Sequence, residues 1–474
     1  MSPDFDLIVI GAGPAGCRSA LAASRHGLSV LLLDEAAHPG GQVYRAPASG
    51  LLPKLGEDGE SGCELRRRVI DSAITLRCAC RVWSVSDGFR VDVAGTSGHK
   101  AFSAPRLNAA TGAYERVVPF PGWTLPGVLG LAATTILITS QRMLPGRRIV
   151  LAGCGPLLLS VAAKVLAAGG EIAAIADLAS PADWLMTLPR VLRSWHLAVR
   201  GGRWAVDIGR SRVPVYFRHG IRAAIGRDRI ESVEIGPLTR SCAPAAGKTI
   251  SLEVDALAVG HGLVPGAEIP QLLGADMTFD RLHGGWIPQV DTFGRTSRPG
   301  LYAVGDGAGI RGAEPALLAG ELAGLAAALD AGRISAATFD CETKKPLRQC
   351  RSYAPFADAM AGIMALRPGQ VAGIPPAAVV CRCEDVTRQD IENAAAAGAL
   401  DVNQMKHFTR CGMGPCQGRM CGDVAAELFA QSRKVRREAV GRWTCRPPLR
   451  PVPLSDLAGR FEYGDIPIPS PAPL

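Results

Sequence analysis

The six residues Gly11-Ala12-Gly13-Pro14-Ala15-Gly16 leave this chain few folds to adopt. They follow a short apolar, β-branched run, Phe5–Ile10, and precede an Ala-rich amphipathic stretch that lasts to about His26. That order predicts strand, turn and helix. Gly11 permits the tight turn, Gly13 lets the backbone approach a pyrophosphate, and Gly16 allows the helix to lie close on the strand. The helix N-terminus, with Pro14 and Ala15 in its first turn, then faces the phosphates. Such a turn also occurs without a ligand, so its weight depends on the neighbouring segments. The next expected strand, Ser29–Leu33, ends in Asp34-Glu35, where an acidic side chain accepts hydrogen bonds from an adenosine ribose. Asp34 is the first candidate and Glu35 the alternative.

At 474 residues the chain is too long for one core, and about 100–200 residues per domain suggests three domains. With 47% hydrophobic and 20% charged residues, it suits packed α/β units and not disorder. A second strand-turn-helix-strand unit begins at Arg148–Ala152, continues through Gly153-Cys154-Gly155-Pro156-Leu157-Leu158 and an apolar helix, and ends with Glu171–Ala176 and Asp177. Leu158 stands where a third glycine would, and a branched side chain there weakens the case for a close-bound pyrophosphate. A retained scaffold and a working nucleotide site fit this segment equally; in the second case Asp177 favours NAD over NADP.

The stretch Pro39-Gly40-Gly41-Gln42-Val43-Tyr44-Arg45 resembles the flavin-binding loop of the thioredoxin-reductase-like flavoproteins, which points to Gly41 and Gln42. Far downstream, Thr296–Asp306 matches the second FAD motif of that superfamily, in which the acid corresponding to Asp306, after Gly305, binds the ribityl chain. The phrase Ala110-Thr111-Gly112 belongs to the same expected site. The resemblance implies FAD and an α/β fold of two Rossmann-like dinucleotide-binding domains, the second inserted in the first; the cysteine-rich segment further along the chain adds a small C-terminal [2Fe-2S] domain. The corresponding ranges are 1–120 with 250–335 for FAD, 121–249 for the insertion and 336–377 for a linker or helical segment. The [2Fe-2S] domain takes 378–430 and a Pro-rich arm 431–474. Disulfide reductases of the superfamily carry a cysteine pair in the first FAD segment or the insertion, and neither is present here. Cys17 and Cys154 read as small-residue packing, Cys78 and Cys80 as buried structure, and Cys341 and Cys350 receive no role.

After the helical stretch Glu314–Ala331 regularity is lost, and Leu366 through Pro376 reads as a linker. Beyond it come Cys381-Arg382-Cys383, a helical stretch Arg388–Ala397, and Thr409 through Cys421. Four thiolates hold a [2Fe-2S] cluster, and a CxC pair with a second close pair after a helix can supply them. Cys411/Cys416 and Cys416/Cys421 are both CxxxxC pairs. The segment resembles the bacterioferritin-associated-ferredoxin type of domain. Setting Thr409 and Gly412-x-Gly414 in register with that family implies the ligands Cys381, Cys383, Cys416 and Cys421, with Cys411 the alternative. Zinc is the blander reading, but CxC spacing suits it less.

The phrase Ala110–Trp123 and the block Cys411–Cys421 resemble the α subunits of hetero-oligomeric opine and D- or hydroxy-amino-acid dehydrogenases; hydrogen cyanide synthase has a similar subunit. That resemblance implies a partner β subunit of the D-amino-acid-oxidase type, a flavoprotein that takes hydride from the amine. It allows a second nucleotide in the insertion and a small additional subunit. On this chain it implies electron transfer, with no catalytic acid or base. The rivals are a self-contained NAD(P)H-dependent reductase and an architectural subunit with little redox role.

The formal charge of +9 is spread over scattered arginines, dense only at Lys434–Arg437, which argues for a solvated basic surface over a nucleic-acid site; an acidic partner comes next. With no leader ahead of Leu7, fourteen cysteines point to reduced thiols. No apolar stretch reaches membrane-spanning length, so a cytoplasmic protein is expected, with room for peripheral attachment at the inner membrane face. The tail from Arg446 to Leu474, rich in proline, reads as a partner-binding arm or a solvated tail.

Overall fold

The computed structural model of the chain describes residues 3–48, 50–51, 57–95 and 98–457. The strand Leu7–Ile10 is apolar and buried throughout, as suits a central parallel strand covered on both faces. It lies between Val30–Leu33 and Leu107–Ala109 in a parallel five-stranded sheet that runs Leu301–Ala303, Leu107–Ala109, Leu7–Ile10, Val30–Leu33, Thr75–Arg77. Two segments far apart in sequence, the glycine turn after Ile10 and Gly305-Asp306 after Ala303, thereby leave the same edge of one sheet. The helix Pro14–Arg25 packs on the helix Ala313–Asp330. Gly320 and Gly324 allow this approach, because a Cβ at either would strike the carbonyls of Ala15 and Ser19.

A second parallel sheet runs Val215–Phe217, Glu171–Asp177, Arg148–Gly153, Ala256–Gly260, Val128–Gly130. Beside it stands an antiparallel sheet of His219–Ile225, Ser232–Pro237 and Ile250–Glu253. These pairings correct the boundary drawn at 250. Ile250–Glu253 and Ala256–Gly260 belong to the inserted unit, since Ala256–Gly260 bonds along Ile149–Gly153.

The segment 336–377, expected as a linker or helical stretch, is more ordered than a linker. Ala336–Met364 is one helix despite Pro346 and Pro355. Proline removes a helix hydrogen bond. Here Phe339, Pro346, Met360 and Ile363 are buried against neighbouring elements, which offsets that loss.

The C-terminal module pairs Val379–Cys381 with Val386–Thr387 and adds the helices Arg388–Ala396, Val402–Thr409 and Gly422–Ser432. Thr387 starts the first of these with a capping box, its hydroxyl accepting from Asp390 N while the Asp390 carboxylate accepts in return. Val402, Met405, Val424 and Phe429 form its core, which Val118 of the first unit enters.

The described part of 431–474, expected as a Pro-rich arm that binds a partner or stays solvated, folds back on its own chain. Val440 and Leu449 are buried, and Leu449 N donates to Trp83 O at 2.6 Å. The remainder to Leu474 lies outside the described residues. Among the described residues no helix is long and apolar enough to cross a membrane.

Candidate functional site

At the edge of the first sheet the glycine turn is built as its residues require. Gly11 has φ 102°, and a Cβ on Gly16 would strike the Gly11 carbonyl. Asp34, at the end of the second strand, accepts Ala12 N at 2.5 Å and Ala36 N at 2.7 Å. Burial pushes its carboxyl above the usual range, while those amides oppose the shift. Glu35 is exposed, 4.0 Å from Arg450.

The loop Pro39–Arg45 closes on this turn. Gly40 N donates to Ala12 O at 2.7 Å. Gly41 is left-handed at φ 62°, and a Cβ on it would lie 2.8 Å from Gly13 Cα, so only glycine fits there. Gln42 is exposed and accepts from Arg45.

On the other side, Thr111 donates to Gly266 O, and Gly112 O accepts Gly266 N at 2.8 Å. Gly305 packs on Ala15, where a Cβ would come within 2.9 Å. Asp306 Oδ1 accepts the amides of Arg311 at 2.9 Å and Gly312 at 3.1 Å, and Oδ2 has no partner among the described residues. Burial raises the Asp306 carboxyl. Gly11, Gly13, Pro14, Ala15, Gly16, Asp34, Gly41, Thr111, Gly112, Gly305 and Asp306 thus converge on a cradle short of side chains, with an acid at each end. A dinucleotide fits that arrangement: backbone amides for its phosphates and carboxylates for its hydroxyls.

The second glycine turn is arranged differently. Gly155 faces Met364, the last residue of the long helix, and a Cβ there would lie 2.5 Å from Met364 Cγ. Leu158 is fully buried with Ile149, Leu151 and Val161. Asp177, the expected ribose acid, accepts Ala179 N at 2.9 Å and the Trp184 indole N–H at 2.8 Å. Burial pushes its pKa up to about 6. The chain's own side chains therefore cover this turn and occupy its acid.

In the C-terminal module five cysteines form one knot. The sulfurs of Cys381, Cys411 and Cys421 lie within 4.8 Å of one another, with Cys411 and Cys421 3.9 Å apart. Cys416 and Cys383 lie beside this trio, near enough for the Cys421 and Cys383 thiols to act on Cys416. The loop that brings them together turns through left-handed Arg410, Gly412, Gln417 and Gly418, and Trp443 covers it, donating to Gly422 O at 3.0 Å. Neighbouring thiols pull Cys381 down to about 2 and Cys416 down to about 5. A close set of thiols of this kind suits a soft metal or an iron-sulfur cluster. The knot holds all four expected ligands. It also holds Cys411, the alternative ligand, fully buried within the tightest trio.

Spacing shows nothing of the residues that bind this knot to the dinucleotide cradle. Arg116 is buried, its Nε 2.6 Å from Asp423 Oδ2, and it also donates to His261 O and Gly284 O at 3.2 Å each. Asp423 stands two residues after Cys421. Such a buried pair is tolerable because its remaining donors are satisfied. Arg419, between Cys416 and Cys421, has Nε 2.7 Å from Glu268, two residues beyond the Gly266 that holds Thr111 and Gly112. The one signal for Arg116 is a charge directly ahead of the apolar pair Val117-Val118.

Residues 5–321 match the family model described as pyridine nucleotide-disulphide oxidoreductase, and residues 376–460 the one described as sarcosine oxidase A3 domain. An opine oxidase subunit of Agrobacterium tumefaciens (strain Ach5) is 35% identical over 97% of this chain and 92% of its own length. The HcnB subunit of hydrogen cyanide synthase from Pseudomonas aeruginosa is 32% identical over 94% of this chain and 97% of its own. The structure of L-proline dehydrogenase from P. horikoshii aligns over 96% of this chain and 79% of that chain at TM-score 0.70 and 20% identity, a shared fold.

Proposed function

This chain belongs to the pyridine nucleotide-disulphide oxidoreductase family, alongside the opine oxidase subunit and HcnB, and we propose that it carries electrons for a complex whose partner subunit oxidises an amino acid or opine. It is an oxidoreductase subunit. The observation that carries the proposal is the joining of two redox-suited sites in one chain: a dinucleotide cradle, and a cysteine knot pinned to it by Arg116 and Arg419.

On this reading FAD takes the cradle. The amides of the Gly11–Gly16 turn receive its pyrophosphate, Asp34 its adenosine ribose and Asp306 its ribityl chain. Cys381, Cys383, Cys416 and Cys421 hold a [2Fe-2S] cluster. A flavin exchanges electrons in pairs or singly, and such a cluster one at a time, so the two together link hydride chemistry to a one-electron acceptor. Arg116 and Glu268 keep the two sites in fixed relation, and no side chain of this chain acts as acid or base on the amine. The partner is a flavoprotein resembling D-amino-acid oxidase, working on the cytoplasmic side.

Purified alone, the chain is expected to contain about one FAD and one cluster and to show no dye-linked oxidation of amino acids or opines. Activity should appear when the partner flavoprotein is co-expressed. Robust amine oxidation by the homogeneous chain would place the substrate site here and overturn the proposal.

NADH and NADPH are expected to leave the flavin oxidised for minutes under anaerobic stopped-flow observation. Met364 covers Gly155, and Trp184 already uses Asp177. Stoichiometric bleaching within a second would instead establish the self-contained reductase.

A further inference from the structure

Two consecutive helices of the inserted unit turn apolar side chains to solvent. In the helix Trp195–Arg210 the covered positions Leu197, Gly201, Trp204 and Ile208 share one face, set by the 3.6-residue period. Trp195, Val199 and Val206 recur on the opposite face and are exposed, Trp195 at 70%. In the preceding helix, Pro181–Val191, and the turn after it, Leu185, Leu188 and Leu192 recur at helical spacing, with Leu185 exposed at 67%. The two stripes meet at the turn joining the helices, where Leu192 and Trp195 are both exposed. Single exposed apolar residues are ordinary, but two joined stripes of large ones are not.

Charge indicates what covers them. Between Pro181 and Arg212 there are six arginines, two aspartates, and no lysine or glutamate. Asp183 is engaged by Arg218 at 2.8 Å, and Arg200 lies 3.4 Å from Asp58. Arg190, Arg193, Arg203, Arg210 and Arg212 are exposed and make no ion pair among the described residues.

We propose that this surface docks on an anionic phospholipid bilayer, the leucines and Trp195 entering the acyl boundary and the arginines meeting lipid phosphates. Two joined helices that expose leucines on one and tryptophan and valines on the other, with unpaired arginines beside them, have the composition of an interfacial surface. Arginine stems can lie along the apolar layer while their heads reach the phosphates. Attachment is peripheral; the vesicle measurements do not depend on the electron-carrier assignment, and only the partner-protection measurement rests on it.

The test is co-sedimentation of the holoprotein with vesicles of phosphatidylcholine alone or mixed with phosphatidylglycerol. Binding to the mixed vesicles is expected to exceed that to neutral ones by about tenfold and to weaken with salt. Trp195→Asp should lose it by about tenfold, as should the double charge reversal Arg190→Glu with Arg193→Glu. Flavin absorbance and circular dichroism of each variant verify that it is folded. Equal binding to both vesicle types, or wild-type binding by folded Trp195→Asp, overturns the proposal. So does amide-exchange protection of residues 181–212 by the soluble partner flavoprotein with no protection by anionic vesicles, which would make the surface a protein interface.

Discussion

Cys416→Ser is expected to lower iron from about two per chain to less than about a tenth of that and to remove labile sulfide, while flavin absorbance persists. Cys416 belongs to either cluster assignment, because both CxxxxC pairs include it. In the structure it stands near both Cys383 and the buried trio of Cys381, Cys411 and Cys421, so its loss removes a thiol from either ligand set. Serine is a poor substitute for a soft thiolate. The same variant distinguishes zinc, because Cys381, Cys411 and Cys421 stand within 4.8 Å without Cys416 and could still hold that ion. Retention of one zinc, with no iron or sulfide in the parent, would refute the cluster. Cys411→Ser should keep most of the visible iron-sulfur absorbance. Its bleaching, alongside an intact Cys421→Ser, would move the fourth ligand to Cys411.

Ending the chain after Cys445 is expected to lower the thermal midpoint by roughly 5–10 °C and to make the cluster labile to chelators. The removed segment binds both sites at once. Leu449 is buried, a loss of about 2 kcal/mol. Arg419 and Gln417, both in the cysteine loop, donate to Leu449 O at 2.6 Å and to Pro448 O at 2.5 Å. Arg450 stands 3.6 Å from Glu268, and Arg81 donates to Pro451 O at 3.0 Å. The two arginine hydrogen bonds contribute about 1.5 kcal/mol each, less where exposed, the neutral Gln417 bond about 1 kcal/mol, and the Arg450–Glu268 ion pair less than that. An unchanged melt and a stable cluster, with only assembly of the complex weakened, would return the tail to the role of a partner-binding arm.

The parts of this protein legible in its sequence are those governed by neighbours a few residues apart. The turn Gly11–Gly16 is readable because each glycine answers a local steric need, and Asp34 because a strand end fixes its place. Cys381 and Cys383 flag their module by spacing alone, and Thr387 with Asp390 marks the next helix by its cap. The helix Ala336–Met364 is legible only as one of two readings, linker or helix, since Pro346 and Pro355 speak locally against it and burial on distant elements outweighs them. The same holds for Ala256–Gly260, whose sheet is chosen by its pairing with Ile149–Gly153. Sequence alone determined a dinucleotide fold, the places of its candidate acids Asp34 and Asp306, and a cysteine module, through backbone geometry and short spacing. Tertiary structure alone decided that Met364 covers Gly155, that Cys411 joins the knot, and that Arg116 and the tail fasten the module to the cradle. Each of those depends on desolvating groups far apart in the chain or on the path of a loop, and no local period records either.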